Sequence, residues 1–296
     1  MNGWQRWLKA PATSGFRRFL FQVHLWLGIG FGLYVLMISI TGSAIVLRTQ
    51  IGTWLIQSQV ENTDLPELTG AALEARISEV YTADAYTLRS FTPSTRPGRA
   101  TYVVLERNGK EYTHYFDQYQ GKDLGSTFPW QTQVIEWLVD LHDELLMGRE
   151  GRRVNGWGGV LFMLMLVSGL LLWWQGSRRW HEGLLIRRDS PRSFMWQLHN
   201  FLGFWSLPLM LAWGLTAIYF AWPAPFDWVM DFADPDLNDF ERPDGWLRLL
   251  IDLHFGRFRG LLWANILWVF LGLIPAVLII SGVVVWYRRV IRRRSV

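Results

Sequence analysis

The chain has 296 residues, half of them hydrophobic, and a formal net charge of +4 at pH 7. It contains no cysteine, which excludes disulfides, thiolate-held iron–sulfur clusters, Cys-rich zinc sites and c-type haem attachment. Any metal or cofactor must therefore be held by His, Met, Tyr, carboxylate or backbone groups.

The apolar residues gather in four blocks, near residues 19–47, 154–176, 200–222 and 260–287. Each block is long enough to cross a bilayer as a helix, which takes about 20 residues. The first and fourth blocks contain no Asp, Glu, Lys or Arg. We therefore predict four transmembrane helices, and we expect the first to be retained rather than cleaved as a signal peptide.

The segments between the blocks differ in charge. Residues 1–23 and the C-terminal tail are basic without acids, and the 176–198 loop carries five Arg against two acids. The 223–262 segment holds eight acids against four Arg. The positive-inside rule then predicts an inner-membrane protein with both termini in the cytoplasm and residues 48–153 and 223–259 in the periplasm. Because these basic residues form no stripe on a soluble domain, we predict no nucleic-acid partner.

A small outer module follows the first span. Residues 68–81 have helical spacing, and three short alternating runs, near 86–91, 100–107 and 111–116, predict strands, with Asn108-Gly109 as a hairpin signal. The amphipathic stretch that comes next ends in His142 and is predicted to lie near the outer surface.

Two phrases occur twice in the chain. Trp137-Leu-Val-Asp-Leu-His142 resembles Leu249-Leu-Ile-Asp-Leu-His254, and Ser168-Gly-Leu-Leu-Leu-Trp173 resembles Ser281-Gly-Val-Val-Val-Trp286. The His-to-Ser spacing is 26 residues in the first copy and 27 in the second.

The first and third spans extend this pattern. His24-Leu-Trp-Leu-Gly28 matches His199-Asn-Phe-Leu-Gly203, and Thr41 and Thr216 each follow their His by 17 residues. This is the pattern of a parallel duplication, with a pseudo-twofold axis along the membrane normal.

The predicted fold class is therefore a membrane all-α protein with four transmembrane helices in two parallel repeats and a small α+β outer module. Its predicted segments are 1–49 (tail and span 1), 50–130 (outer module), 131–176 (amphipathic helix and span 2), 177–198 (cytoplasmic loop), 199–222 (span 3), 223–259 (acidic outer loop) and 260–296 (span 4 and basic tail).

Under this symmetry His24 and His199 lie near the cytoplasmic face, and His142 and His254 near the outer face. Imidazole is a common haem ligand, and two such pairs suit two bis-histidine haems that transfer electrons. Glycines on the same helical face leave room for a porphyrin, and outer-side arginines are candidates for its propionates. The candidate cofactor residues besides the histidines are Gly28, Gly203, Arg149, Arg152, Arg153 and Arg257.

Simpler interpretations stand beside this one. A single His at a helix end is often only an interfacial polar residue, and the arginines can equally be headgroup contacts. Zinc or copper held by all four histidines is disfavoured, because the two pairs lie at opposite faces and cannot make one tetrahedral site.

The motifs resemble a known family. The H-x-x-L-G openings, the stretch Leu141–Gly151 and the SG-aliphatic-W endings are similar to PepSY-associated transmembrane proteins, and the module ending Phe116-Asp-Gln-Tyr-Gln-Gly121 resembles a PepSY domain. Some members are haem-b proteins of the inner membrane that reduce ferric siderophores in the periplasm. The resemblance implies that the four histidines are axial ligands of two haem b groups, and that the chain is a ferric-siderophore reductase.

No dinucleotide-binding G-x-G-x-x-G follows a strand, so the electron donor would be external, either quinol or a cytoplasmic reductase. Electron transfer of this kind needs no catalytic acid or base. Two alternatives remain open: a PepSY-type binding protein that modulates a peptidase, and an accessory subunit of a transporter, neither of them redox-active.

Overall fold

The computed structural model describes residues 15–60, 63–96, 98–174, 184–187, 193–233, 245–256 and 261–290. Two compact units form the chain: Met1–Val46 together with Leu138–Val296, and Leu47–Trp137. The helices of the described residues are α1 (Gly15–Gly30), α2 (Gly32–Ile45), α3 (Arg48–Leu55), α4 (Gly70–Thr82), α5 (Trp130–Glu144), α6 (Gly148–Trp173), α7 (Phe194–Trp205), α8 (Leu207–Ala221), α9 (Ala224–Ala233), α10 (Gly245–Phe255), α11 (Leu262–Gly272) and α12 (Ile274–Val290).

The helical unit contains the candidate membrane spans. Helix α6 and the run Leu262–Arg289 are each long and apolar enough to cross a bilayer. Two further pairs, α1 with α2 and α7 with α8, pass the same test together but are bent by 59° and 63°. The described part of the chain therefore holds two candidate spans, or up to four if each bent pair is one span, where the sequence predicts four.

Both bends fall seven residues after a histidine, at Phe31 after His24 and at Ser206 after His199. Pro208 lacks an N–H and cannot donate to the carbonyl four residues earlier, which favours a kink. The Ser206 hydroxyl donates to the Leu202 carbonyl at 2.6 Å, so a backbone acceptor next to this bend is satisfied.

A third break separates α11 from α12, beside Pro275. There the Ser39 hydroxyl of α2 donates to the Gly272 carbonyl at 2.6 Å and accepts from the Ala276 N–H at 3.2 Å. Backbone groups freed by a proline inside a membrane helix need such internal partners. Ser39 therefore holds α2 against the break.

Packing within the unit brings distant helices together. Helix α6 packs on α8 and on α1, and α12 packs on α7 and on α2. A Cβ at Gly158 of α6 would overlap the Tyr34 hydroxyl, so this glycine leaves room for the Tyr34 side chain of α2. Such small residues at contacts are typical of membrane helices.

The second unit is a helix on a sheet. Four strands pair antiparallel in the order β1-β2-β3-β4, and α4 covers one face. The strands are β1 (Thr87–Thr92), β2 (Thr101–Arg107), β3 (Lys110–Asp117) and β4 (Lys122–Ser126). Six buried residues form the core, namely Leu73, Ile77, Tyr81, Val103, Leu105 and Phe116.

The hairpin at Asn108-Gly109 forms as its sequence predicts, with φ of 54° and 73° at the two residues. The sequence predicted about three strands, and the structure adds β4. Asp123 holds this fourth strand, because its carboxylate accepts hydrogen bonds from the Tyr81 hydroxyl at 2.7 Å and from His114 Nδ1 at 3.0 Å. Burial alone raises the pKa of Asp123, but these bonds and one from the Gly125 N–H lower that pKa below its ordinary value.

Candidate functional site

The end of helix α5 fixes the position of His142. Leu145 and Leu146 adopt left-handed backbone, with φ of 50° and 60°, which ends the helix two residues after the histidine. The Asn155 side-chain amide of α6 donates to the carbonyls of His142 at 2.6 Å and of Asp143 at 3.0 Å. The Tyr34 hydroxyl in turn donates to Asn155 Oδ1. The last turn of α5 is thereby capped by the helices it packs against.

Helix α10 delivers His254 in a similar way. Gly256, with φ of 62°, ends the turn, and the Asn265 amide donates to its carbonyl at 2.9 Å. The indole N–H groups of Trp213 and Trp268 both donate to the Leu253 carbonyl, at 3.3 and 2.8 Å. Carbonyls at the open end of this helix are therefore satisfied by side chains.

The four histidines lie in two pairs. The ring centroids of His24 and His199 are 6.3 Å apart, and those of His142 and His254 are 6.4 Å apart. These are the two pairs that the sequence symmetry suggests. Each pair joins one residue from the first half of the chain to one from the second.

His24 and His199 are called the inner pair after their predicted location, and both of their Nδ1 atoms contact groups on a neighbouring helix. His24 Nδ1 lies 3.1 Å from the Met165 carbonyl and 3.1 Å from the Ser168 hydroxyl. His199 Nδ1 lies 3.0 Å from the Leu278 carbonyl and 3.1 Å from the Ser281 hydroxyl. A carbonyl only accepts, so Nδ1 carries the proton in both rings and Nε2 keeps a free lone pair.

His142 and His254, called the outer pair after their predicted location, also have Nδ1 atoms that contact acceptors on a neighbouring helix. His142 Nδ1 lies 3.1 Å from the Ile38 carbonyl and 3.1 Å from the Thr41 hydroxyl. His254 Nδ1 lies 2.6 Å from the Thr216 hydroxyl, whose own proton is directed to the Ala212 carbonyl at 2.8 Å. Burial lowers the pKa of both imidazoles, and His142 lowers that of His254 further, which keeps them neutral.

A small residue follows each of the four hydroxyls. A Cβ on Gly42, Gly169 or Gly282 would lie 2.7, 3.1 or 3.2 Å from the Cε1 of His142, His24 or His199. The fourth hydroxyl, Thr216, is followed by alanine. The repeated Ser-Gly phrases are thus explained: the hydroxyl orients a ring, and the glycine lets that ring approach the backbone.

The separation within each pair fits a shared metal. Two imidazole nitrogens, each about 2.0 Å from one ion, put the ring centroids about 6 Å apart. Within the described residues, no cluster of three or more His, Cys, Asp or Glu side chains has the geometry of a metal site. Two imidazoles per site suit a metal whose other ligands come from a cofactor, as haem iron does.

A cavity of about 740 Å³ contains the inner pair. This volume is in the range of small-molecule and cofactor sites, about 300–1,000 Å³. Gly28 and Gly203 both line the cavity, and a Cβ on Gly28 would meet no protein atom within 4 Å. The residues present therefore fit an axially ligated, largely apolar group such as haem.

The four arginines that the sequence predicts on the outer side differ in their surroundings. Arg152 pairs with Asp143 and Glu144, both at 2.7 Å, and Arg153 pairs with Glu150 at 2.7 Å. Arg149 is exposed at the start of α6. Arg257 lies outside the described residues. Two of the predicted propionate partners thus already have carboxylate partners within the protein.

Comparison with known proteins identifies the family of this chain. The family described as the PepSY-associated TM region matches residues 21–243 and 230–289, which together span most of the chain. The chain belongs to this family. An uncharacterized protein of Pseudomonas aeruginosa is 36% identical over 84 residues, which are 28% of this chain and 21% of that protein. The match thus spans about a fifth of the relative's length.

Sequence reasoning did not select Asn155, Asn265 or Tyr34. Asn155 follows His142 by 13 residues and Asn265 follows His254 by 11, so no shared spacing marks them. The available signal was an uncharged amide near the start of an apolar span, where a polar residue needs a partner.

Proposed function

We propose that this PepSY-associated membrane protein binds two haem b groups, one between His24 and His199 and one between His142 and His254. We propose further that it passes electrons across the cytoplasmic membrane to a periplasmic acceptor. The observation that carries the proposal is the geometry of the two imidazole pairs. Both have centroid separations near that of two ligands on one metal, and all four Nδ1 atoms are held by acceptors on neighbouring helices.

Held by the two histidines of a pair, haem b would supply a one-electron carrier suited to electron transfer rather than oxygen binding. The chain's own residues prepare that site. The carbonyl and hydroxyl acceptors fix each ring plane and raise the basicity of the free nitrogen. The largely apolar lining of the inner cavity would limit the access of water to a bound haem.

The two sites occupy different levels of the bundle. On α6, Asn155 holds the His142 turn and Ser168 holds His24. These two residues are 13 positions apart, which corresponds to about 20 Å along a helix. This spacing supports one site towards each face, within the proposed arrangement of four spans in two parallel repeats. The distribution of basic residues supports cytoplasmic termini and a periplasmic module.

The proposed acceptor is the ferric ion of a siderophore, which makes the chain a ferric-siderophore reductase. One electron converts Fe(III) to Fe(II), and the larger, softer ferrous ion is held less tightly by hard oxygen ligands. The proposed donor is external, either quinol or a cytoplasmic reductase. The family resemblance supports this choice of substrate.

A second candidate is a PepSY-type membrane protein that modulates a peptidase or serves a transporter without redox activity. It is favoured by one observation, that Leu47–Trp137 forms a compact unit with its own core. Such a module is suited to binding a protein or peptide.

One set of measurements separates the two. The purified full chain should contain two haems per protein, with the absorption of low-spin bis-histidine haem, and its reduced form should be reoxidised by ferric siderophores. Replacement of His24 or His199 by alanine should remove one haem, and replacement of His142 or His254 the other. A protein that takes up no haem in a haem-replete host would contradict the redox proposal and support the binding protein.

A further inference from the structure

The inner cavity is lined by two chemically different sets of residues. The apolar set includes Val35, eleven residues after His24, and Met210, eleven residues after His199. The other set is three guanidinium groups, those of Arg17, Arg18 and Arg289, and Arg17 and Arg18 precede His24. None of the described residues that line the cavity is Asp or Glu. The cavity is therefore suited to a ligand that has an apolar body and an anionic edge.

These arginines lie on one side of the histidine pair. Arg18 precedes His24 by six residues on α1, which corresponds to about 9 Å along the helix. Arg289 follows Ser281, the partner of His199, by eight residues on α12, or about 12 Å. Arg18 and Arg289 therefore stand about two helical turns from His24 and Ser281, on the side of the first and last described residues.

The three arginines have few partners within the described residues. Arg17 donates to the carbonyls of Trp174 at 2.9 Å and of Leu172 at 2.6 Å, which caps the end of α6. Arg289 lies over the Phe21 ring at 4.9 Å. No carboxylate of the described residues forms an ion pair with Arg17, Arg18 or Arg289, in contrast to Arg152 and Arg153 outside.

From this juxtaposition we infer that Arg18 and Arg289 bind the two carboxylates of the tetrapyrrole held by His24 and His199. The inner haem is then oriented with its propionates towards the cavity mouth and its apolar edge towards the middle of the membrane. Arg17 serves this site indirectly by fixing the end of α6. This inference rests on the proposed haem binding, and it identifies the residues that bind the carboxylates at that same site.

The test uses the full chain in a neutral detergent without anionic lipid, loaded either with haem b or with its dimethyl ester, which lacks both carboxylates. The variant is R18Q/R289Q. The matched control is R288Q, which removes a neighbouring cation that does not line the cavity. Haem loss to an excess of apomyoglobin is followed as two dissociation phases.

We expect one of the two phases to become at least about tenfold faster in R18Q/R289Q loaded with haem b, since two charge-assisted hydrogen bonds are lost. The other phase and the R288Q control should be unchanged. With the dimethyl ester, wild type and double variant should release the inner group at the same rate. The midpoint potential of one haem should also shift in the double variant with haem b only.

Two outcomes would overturn the inference. If haem b leaves R18Q/R289Q at the wild-type rate, the arginines do not hold its carboxylates. If the double variant is equally impaired with the dimethyl ester, the arginines act on the fold or on a lipid headgroup. In either case the wild type still binds two haems, so the failure is distinct from failure of the proposed function, in which no haem binds.

Discussion

The Thr216 hydroxyl accepts a hydrogen bond from His254 Nδ1 at 2.6 Å, the shortest of the four bonds between a histidine and a hydroxyl in the described bundle. For His142, His24 and His199 a backbone carbonyl lies beside the hydroxyl, whereas Thr216 is the only hydrogen-bond partner of His254 Nδ1 among the described residues. The site should therefore depend more strongly on this side chain than on its counterpart Thr41.

We expect Thr216→Val to weaken haem binding at the outer site by about 10–100-fold, the usual effect of losing a ligand's outer partner. Thr216→Ser keeps the hydroxyl and should bind normally. Thr41→Val should have a smaller effect, because the Ile38 carbonyl remains. The measurement is the haem-to-protein ratio on titration with haem, and an equal response of both valine variants would contradict this reasoning.

Gly42→Ala tests the contact between α2 and His142. Its Cβ would lie 2.7 Å from the imidazole Cε1, so the ring must move from the position set by its two acceptors. We expect a cost of about 1–3 kcal/mol from overpacking and the loss of most of one haem. Gly52→Ala is the control, since a Cβ there meets nothing within 4 Å. Unchanged spectra in Gly42→Ala would show that the ring has room to shift.

Gly28→Ala tests whether a cofactor occupies the space beside Gly28, where no protein atom lies. A Cβ at Gly28 or at Gly30 meets no protein atom within 4 Å, but only Gly28 lines the inner cavity. Helix propensity alone would stabilise either alanine by up to about 1 kcal/mol. With haem in the cavity, we expect Gly28→Ala to reduce inner haem occupancy and Gly30→Ala to leave it unchanged. Equal occupancy in both variants would mean that no cofactor lies over Gly28.

Asn155→Ala should destabilise the outer site without touching a ligand side chain. It removes two hydrogen bonds to the end of α5 and leaves the carbonyls of His142 and Asp143 without that donor. We expect a loss of about 1–3 kcal/mol in stability, read as a lower thermal midpoint, together with weaker binding of one haem. Tyr34→Phe, which removes only the hydroxyl donor to Asn155, should show a weaker form of the same result. A normal haem content in Asn155→Ala would show that Asn155 contributes to the stability of the fold and not to haem binding.

The outer module should lose stability in acid through Asp123. Because the fold lowers the pKa of this carboxyl, its stabilisation is present above the unfolded pKa of about 3.9 and is lost as pH falls through the folded value. Unfolding of the full chain, followed by the β-sheet signal in circular dichroism between pH 5 and pH 3, should therefore depend on pH. Asp123→Asn should flatten that dependence, whereas a steep slope retained in the variant would assign it to other groups.

Several features of the fold follow from local sequence. The Asn108-Gly109 hairpin depends only on neighbouring residues and a backbone conformation that they favour. The helix over Gly70–Thr82 follows from periodic spacing. Strand β4 was missed, because Lys122-Asp-Leu-Gly125 has weak β propensity and is held by Tyr81 and His114, whose positions are known only once the helix packs on the sheet.

In the candidate site, too, some features follow from the sequence and others depend on helix packing. The repeats mark His24, His142, His199 and His254, and they also mark the serines and threonines. They do not reveal that Ser168 orients a ring 144 residues away, because that contact depends on helix packing. The clustering of Arg17, Arg18 and Arg289 at one cavity has the same origin, since the third is separated from the first two by most of the chain.

The hydrogen bonds of the four histidines and their pairing relate differently to the two halves of the chain. Every Nδ1 bond stays within one half of the chain: His24 and His142 bind Ser168 and Thr41, and His199 and His254 bind Ser281 and Thr216. Every imidazole pair, by contrast, joins the halves. Each half can thus orient its own two ligands. Each haem would link the two halves through coordinate bonds, so the free energy of haem binding would contribute to the association of the halves. A chain severed between residues 175 and 192 and co-expressed as two fragments should then associate more tightly when haem is supplied than when it is withheld.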